Sequence, residues 1–256
     1  MTVKWYGTAA ISLEHNGTKL LFDPFVRMNK KLSPHISVDD FTHADAIFLS
    51  HGHFDHTMSV PEIEKKADIP VFATATPIAT LKKKNVHTDR LNTIKPGDEI
   101  TVGDFSVTAL RGKHLVFDAK YLASIVPECI VTFPKFFSVM YKNITFPQNN
   151  EIICFDIKCD GKRILSMGSL GTVPNEKYPN ECDLFVLPLG GRIAIYDTAA
   201  PIISSVKPKK IMLTHYDNAF PPLTRRSDAE GIRDRILNDY AGIEAIIPEE
   251  KKDYIL

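Results

Sequence analysis

The stretch Ser50-His51-Gly52-His53-Phe54-Asp55-His56 constrains this chain more than any other. Four side chains able to ligate a metal, His51, His53, Asp55 and His56, fall within six residues. They follow Ala46-Ile47-Phe48-Leu49, an apolar run whose length and composition suit a buried strand. A loop at a strand's end can turn several side chains toward one point, whereas an amphipathic helix would scatter them. Imidazole and carboxylate together suit zinc or a similar first-row dication; calcium and magnesium prefer shells of oxygen. A polar surface loop that merely happens to hold histidine is the competing reading. Three of nine histidines in six residues, beside an acid, argue against it.

Elsewhere the chain reads as alternating strands and helices. Val3 to Tyr6, Ile11 to Glu14 and Lys19 to Asp23 are expected strands, with Asn16-Gly17 as a hairpin turn because both residues tolerate positive φ. Residues 25 to 43 read as a polar, basic loop carrying Arg27, Lys30 and Lys31. Pro61 to Lys66 and Thr76 to Lys84 suit helices around a strand at Pro70 to Ala73. Gly103-Asp104 and Asp160-Gly161 mark two further hairpins, Ile100–Val102 with Phe105–Leu110 and Glu151–Lys158 with Arg163–Met167. Asp183 to Leu187 and Lys210 to Leu213 are expected strands, Ala199 to Val206 and Thr224 to Tyr240 helices, and Ile243 to Ile247 a final edge strand. The alternation argues for an α/β fold with mixed sheets. No repeat, low-complexity tract or linker divides the chain, so one domain over residues 1–256 is expected.

This pattern, His-X-His-X-Asp-His, resembles that of the metallo-β-lactamase-fold superfamily. The openings Trp5-Tyr6-Gly7-Thr8-Ala9 and Leu20-Leu21-Phe22-Asp23-Pro24 look like the first strands of its lactonase-like branch, which includes ascorbate-phosphate lactonases and other metal-dependent hydrolases. The resemblance covers most of the chain. It implies an αββα four-layer sandwich with metals at one edge, between the two sheets. It also implies further ligands: His114, just past a strand, completes a first set with His51 and His53, and His215, after Thr214, joins Asp55 and His56 in a second. Three protein ligands plus water is the usual catalytic zinc shell.

One position departs from the family pattern. Where relatives carry Gly-Asp-Thr-Gly, with the Asp bridging both metals, this chain has Gly168-Ser169-Leu170-Gly171. Two dications about 4 Å apart repel on the order of 15 kcal/mol at an effective dielectric near 20, as an illustrative scale. A bridging carboxylate normally offsets that. Ser169 therefore implies a second metal that is weakened, replaced by water contacts, or absent. Asp217 and Asp197 are the carboxylates that could compensate, and the sequence does not choose between them. Ser169 and Asp217 are accordingly candidates for supporting or substrate contacts.

Leu115 to Asn150 is the least ordinary stretch, an aromatic-rich insert at about 115–150 relative to simple lactonase-like members. It holds seven aromatics, from Phe117 to Phe146, and three prolines. Extra core or a homo-oligomer contact is one reading; a lid or wall that makes the pocket apolar is another. Membrane-surface contact lacks the basic face that such helices carry.

The expected reaction is hydrolysis of an ester, lactone, thioester, amide or phosphoester on a small molecule with an apolar portion. One or two divalent ions would assist, zinc first and manganese or iron as alternatives, by lowering the pKa of bound water. Asp55 would orient the nucleophile or take a proton later. Loss of catalysis, with Ser169 marking a protein that only binds metal or ligand, is the alternative from another class. A nuclease is disfavoured by the balance of 31 basic and 31 acidic residues. An oxygen-reducing di-iron role is disfavoured because such relatives carry Glu where this chain has His53. No apolar run reaches the length of a membrane span, and no signal segment is recognised, so the cytoplasm is the expected compartment. Cys129, Cys154, Cys159 and Cys182 form no close pair and are expected as reduced, structural thiols. His15, His35, His43 and His87 are expected at the surface.

Overall fold

The computed structural model describes residues 1–28 and 35–256. Lys30 and Lys31 of the expected basic loop lie outside the described residues. Strands β1 (Thr2–Gly7), β2 (Ala10–His15), β3 (Thr18–Phe22), β4 (Ala46–Phe48), β5 (Val71–Ala73) and β6 (Leu91–Thr93) belong to one sheet. Strands β7 (Glu99–Val102), β8 (Phe105–Arg111), β9 (Ile153–Cys159), β10 (Lys162–Met167), β11 (Leu184–Pro188), β12 (Lys210–Thr214) and β13 (Glu244–Ile246) form the other. The last strand, β14 (Asp253–Ile255), returns to pair antiparallel with β1, giving the orders β14-β1-β2-β3-β4-β5-β6 and β13-β12-β11-β10-β9-β8-β7.

The three hairpins fall where their turn residues place them. Asn16 and Gly17 sit at φ +47° and +79°, and Asp160 and Gly161 at +49° and +69°, the left-handed pair a two-residue turn requires. The two sheets share a core between them. Phe22 and Phe48 project from the first sheet onto Phe155 of the second, edge to face, with centroids 5.3 and 5.7 Å apart. Helices α1 (Phe54–Thr57), α2 (Val60–Glu64) and α3 (Ala75–Lys83) follow β4 and β5, and Ile63, Ile78 and Leu81 pack with the first sheet's outer residues such as Ile47 and Val71. Helices α4 (Ala119–Val131) and α5 (Phe133–Thr145) form an adjacent pair between β8 and β9. Helices α6 (Ile195–Val206) and α7 (Ala229–Asp239) contribute Ile203 and Ile236 to the core around the second sheet. The result is the helix–sheet–sheet–helix sandwich.

Several details differ from the sequence reading, and the first is that Asp55 and His56 sit on the short helix α1 rather than on a loop. Helix α7 begins at Ala229 rather than Thr224, because the Asp228 carboxylate caps it by accepting from the Gly231 amide at 3.0 Å. Helix α6 starts four residues earlier than expected, at Ile195. Strands β6 and β14 and helices α4 and α5 are elements the sequence reading lacks. Arg27 is not on a solvated loop: it is 5% exposed and paired with Asp217 and Glu250.

Candidate active site

The arrangement of strands gathers the candidate residues at one edge. β3 and β4 run parallel, as do β10, β11 and β12, and β8 is antiparallel to β9, which is antiparallel to β10. Asp23, Ser50, His114, Ser169, Gly190 and His215 each follow the carboxyl end of one of these like-directed strands. Open α/β sheets bind ligands at such ends.

The loop from Ser50 is fixed at several points. The Asp23 carboxylate accepts from the Ser50 amide and hydroxyl, both at 2.7 Å, and the Ser50 carbonyl accepts from the Ile153 amide at 2.9 Å. The Thr57 hydroxyl of α1 donates to the His51 carbonyl at 3.1 Å. Phe54 is buried against Phe25 and Phe220, which anchors the short helix carrying Asp55 and His56. Gly168 allows the closest approach. A Cβ there would lie 1.8 Å from Ser50 Oγ and 2.8 Å from Asp23 Oδ2, so any other residue would displace this support.

Two groups of three side chains result. The ligating atoms of His51, His53 and His114 all lie within 4.8 Å of one another, and so do those of Asp55, His56 and His215. His51 Nε2 is 3.2 Å from His53 Nδ1, and His215 Nε2 is 3.1 Å from Asp55 Oδ2. Three imidazoles, or two imidazoles and a carboxylate, make a donor set that fits a first-row dication. Outer contacts orient the rings. His114 Nδ1 donates to the Leu115 carbonyl at 2.8 Å, Ser50 Oγ is 3.0 Å from His51 Nδ1, and Asp23 Oδ2 is 3.0 Å from His56 Nδ1. Each contact leaves the ring's Nε2 for the cluster, as hydrogen-bonded outer partners do around metal-ligating histidines.

Electrostatics favour the ligand-competent forms of His51, His53, His114 and Asp55. Burial, with the neighbouring histidines, holds His51 well below the ordinary imidazole range, brings His53 down to about 4 and also lowers His114. Burial opposes ionisation of Asp55, but His56 and His215 outweigh it and hold the carboxyl well below its usual range. His56 is pushed the other way: burial lowers it, and the carboxylates of Asp23 and Asp55 raise it further. Three non-glycine residues at this edge, Thr8, Asp23 and His215, have φ near +50°. Strained backbone of this kind collects at functional sites.

The other sequence candidates have different surroundings. Ser169 Oγ accepts from the Leu115 amide at 3.0 Å, tying the loop after His114 to the loop after β10. The Asp217 carboxylate accepts from the Thr8 amide and hydroxyl at 3.0 and 3.1 Å and faces Arg27 Nε at 3.1 Å, a buried clamp. Asp197 lies on α6, 3.4 Å from Arg235, and is exposed away from the cluster. His35, His43 and His87 are exposed, and His15 is half-buried within 3.9 Å of Asp104 and Asp160. All four cysteines are free thiols. Sequence reasoning missed Asp23 and Ser50 as orienting groups; an Asp directly after an apolar strand and a Ser directly before the first histidine are the signals that were there to be read.

Above the two groups lies a cavity of about 750 Å³. The His and Asp side chains form its floor, while α4, α5 and the loops at Phe117 and Phe220 supply walls that are mostly apolar. Gly191, at φ +88°, lets the Phe117 ring close one wall, since a Cβ would sit 2.5 Å from it.

Two mixed sheets between helices, with His and Asp groups at one edge, define a protein of the metallo-β-lactamase fold. A family model, the beta-lactamase superfamily domain, matches residues 2–215, and the chain belongs to that superfamily. A UPF0173 metal-dependent hydrolase of Lysinibacillus sphaericus is 25% identical over 226 residues, 87% of this chain and 88% of its own length. Another, from Methanopyrus kandleri, is 25% identical over 264 residues, 99% of both chains. Among solved structures, Igni18, a metallo hydrolase from the archaeon Ignicoccus hospitalis, superposes with a TM-score of 0.66 at 16% identity, over 100% of this chain and 98% of its own. The metallo-beta-lactamase fold protein YhfI of Bacillus subtilis gives 0.63 at 14%, over 99% of each. Among the described residues no helix is long and apolar enough to cross a membrane.

Proposed function

We propose that this protein is a metal-dependent hydrolase that cleaves an ester, lactone or phosphoester bond in a small molecule with an apolar portion. One observation carries the reading: two complete three-ligand groups, His51/His53/His114 and Asp55/His56/His215, lie at the floor of an apolar cavity. The hydrolase names of relatives that align along most of the chain support it.

When bound, a divalent ion would polarise the scissile bond and make water nucleophilic near neutral pH. The chain's own residues do the rest. His51, His53 and His114, kept neutral by burial, would hold one ion, and His56, His215 and Asp55 would hold a second more weakly, because Ser169 supplies no bridging carboxylate. Zinc suits both donor sets best. Asp55, held ionised beside His56 and His215, would orient the attacking water, and the proton that water loses ends on the departing oxygen, so that water and ester give acid and alcohol in balance. The apolar walls keep bulk water from the cleft.

The test is a panel of p-nitrophenyl esters, lactones and phosphodiesters, assayed before and after chelation and with zinc, manganese or iron restored. The expected result is turnover that chelation abolishes and one metal restores. Absence of turnover across the panel with every metal, alongside retained ligand binding, would replace the hydrolase with a protein that binds but does not catalyse.

A further inference from the structure

The α4–α5 pair carries more apolar surface than a cavity wall needs. Leu122, Val126 and Ile130 recur every four residues on α4, and Phe136 and Met140 face the same cavity from α5. The α4 line spans about 12 Å along the helix axis. It begins beside Phe117, three residues past His114, while the far end of α5 reaches the ligand loop, with Val139 and Phe146 packed against Phe54. Exposure rises away from the ligand groups, from 45% at Leu122 through 50% at Val126 to 70% at Ile130, so the groove opens toward the turn between the helices.

We infer that this groove is a binding site for an unbranched alkyl or acyl chain, and that the substrate is a single-chain amphiphile whose hydrolysable head sits at the His and Asp groups. The inference rests on the hydrolytic reading of that site. A contiguous exposed apolar surface marks an interaction or ligand site. Here the surface is concave, continuous with the reaction centre and of small-ligand size, about 750 Å³, which suits a flexible chain rather than the face of a second copy.

The test is calorimetric titration of the full chain, as purified and after metal stripping, with octanoate, decanoate and dodecanoate kept monomeric. The slope with chain length is the readout, because a carboxylate's contact with metal adds the same amount to each. Affinity should rise about three- to fourfold per methylene, or about a hundredfold from octanoate to dodecanoate. Val126→Trp, at a half-exposed position with room for the ring, should flatten the slope, and Ile144→Ser, outside the cavity lining, should leave it intact. A flat series in the wild type, or a slope unchanged by Val126→Trp, overturns the proposal. So does a flat series accompanied by a dimer that Val126→Trp dissociates, which would give the surface to a second copy. Turnover of short esters with a flat slope would discard the alkyl site and keep the hydrolase. A steep slope without turnover would discard the hydrolase and keep the site.

Discussion

Asp23 Oδ2 lies 3.0 Å from His56 Nδ1, so a carboxylate at the end of β3 sets the orientation of an imidazole on α1. The same carboxylate holds Ser50, and Ser50 Oγ reaches His51 Nδ1 at 3.0 Å. One residue thus touches the supports of both ligand groups. Asp23→Asn should weaken metal at Asp55/His56/His215 by about 10- to 100-fold, the usual effect of losing such an outer partner. Competition with a chromophoric chelator measures it. Unchanged affinity in a folded variant would reduce Asp23 to a loop anchor.

Asp217 should behave differently. Its carboxylate is taken up by Thr8 and by Arg27, which is 5% exposed. Removing it with Asp217→Ala leaves the Thr8 amide and hydroxyl without their acceptor and Arg27 with Glu250 as its remaining carboxylate, and should cost about 1–3 kcal/mol in urea unfolding, with metal content per folded chain unchanged. Loss of one ion without loss of stability would instead make Asp217 the compensating ligand that the sequence left open.

Protonation of His53 gives a prediction with a definite sign. Its folded pKa is near 4 against an ordinary 6.5, so between those values the unfolded chain binds more protons. Stability of the metal-free protein should therefore fall as pH drops through that window. The His53 share is about 2 kcal/mol between pH 7.5 and pH 5. His56, raised by Asp23 and Asp55, contributes in the opposite direction. Comparing wild type with His53→Gln by denaturation at the two pH values isolates the His53 part. Equal pH dependence in both proteins would mean His53 is not buried as described.

Much of this was legible because it is local. Asn-Gly and Asp-Gly turns, a four-residue apolar run before the histidines and the spacing of Ser50 to His56 each announce their conformation within a few residues. Asp23 was not legible as an orienting group, because its partners lie 27 and 33 residues away and meet it only when β3 pairs with β4. β14 is short and mostly exposed, and its partner is the first strand, so no local pattern marks it. The α4–α5 pair hid its helical period behind apolar residues on nearly every side and Pro127 within α4. The Asp217 clamp needed residues from both ends of the chain, Thr8 and Arg27 with Glu250 beside them.

The most direct test is metal stoichiometry by elemental analysis on untagged protein prepared without chelator, in wild type, His114→Ala and His215→Ala. We expect two ions per chain in the wild type and one in each variant, with the ion remaining in His215→Ala held more tightly than the one remaining in His114→Ala. No retained metal in the wild type after zinc, manganese or iron is supplied, or a content that neither substitution changes, would contradict this expectation.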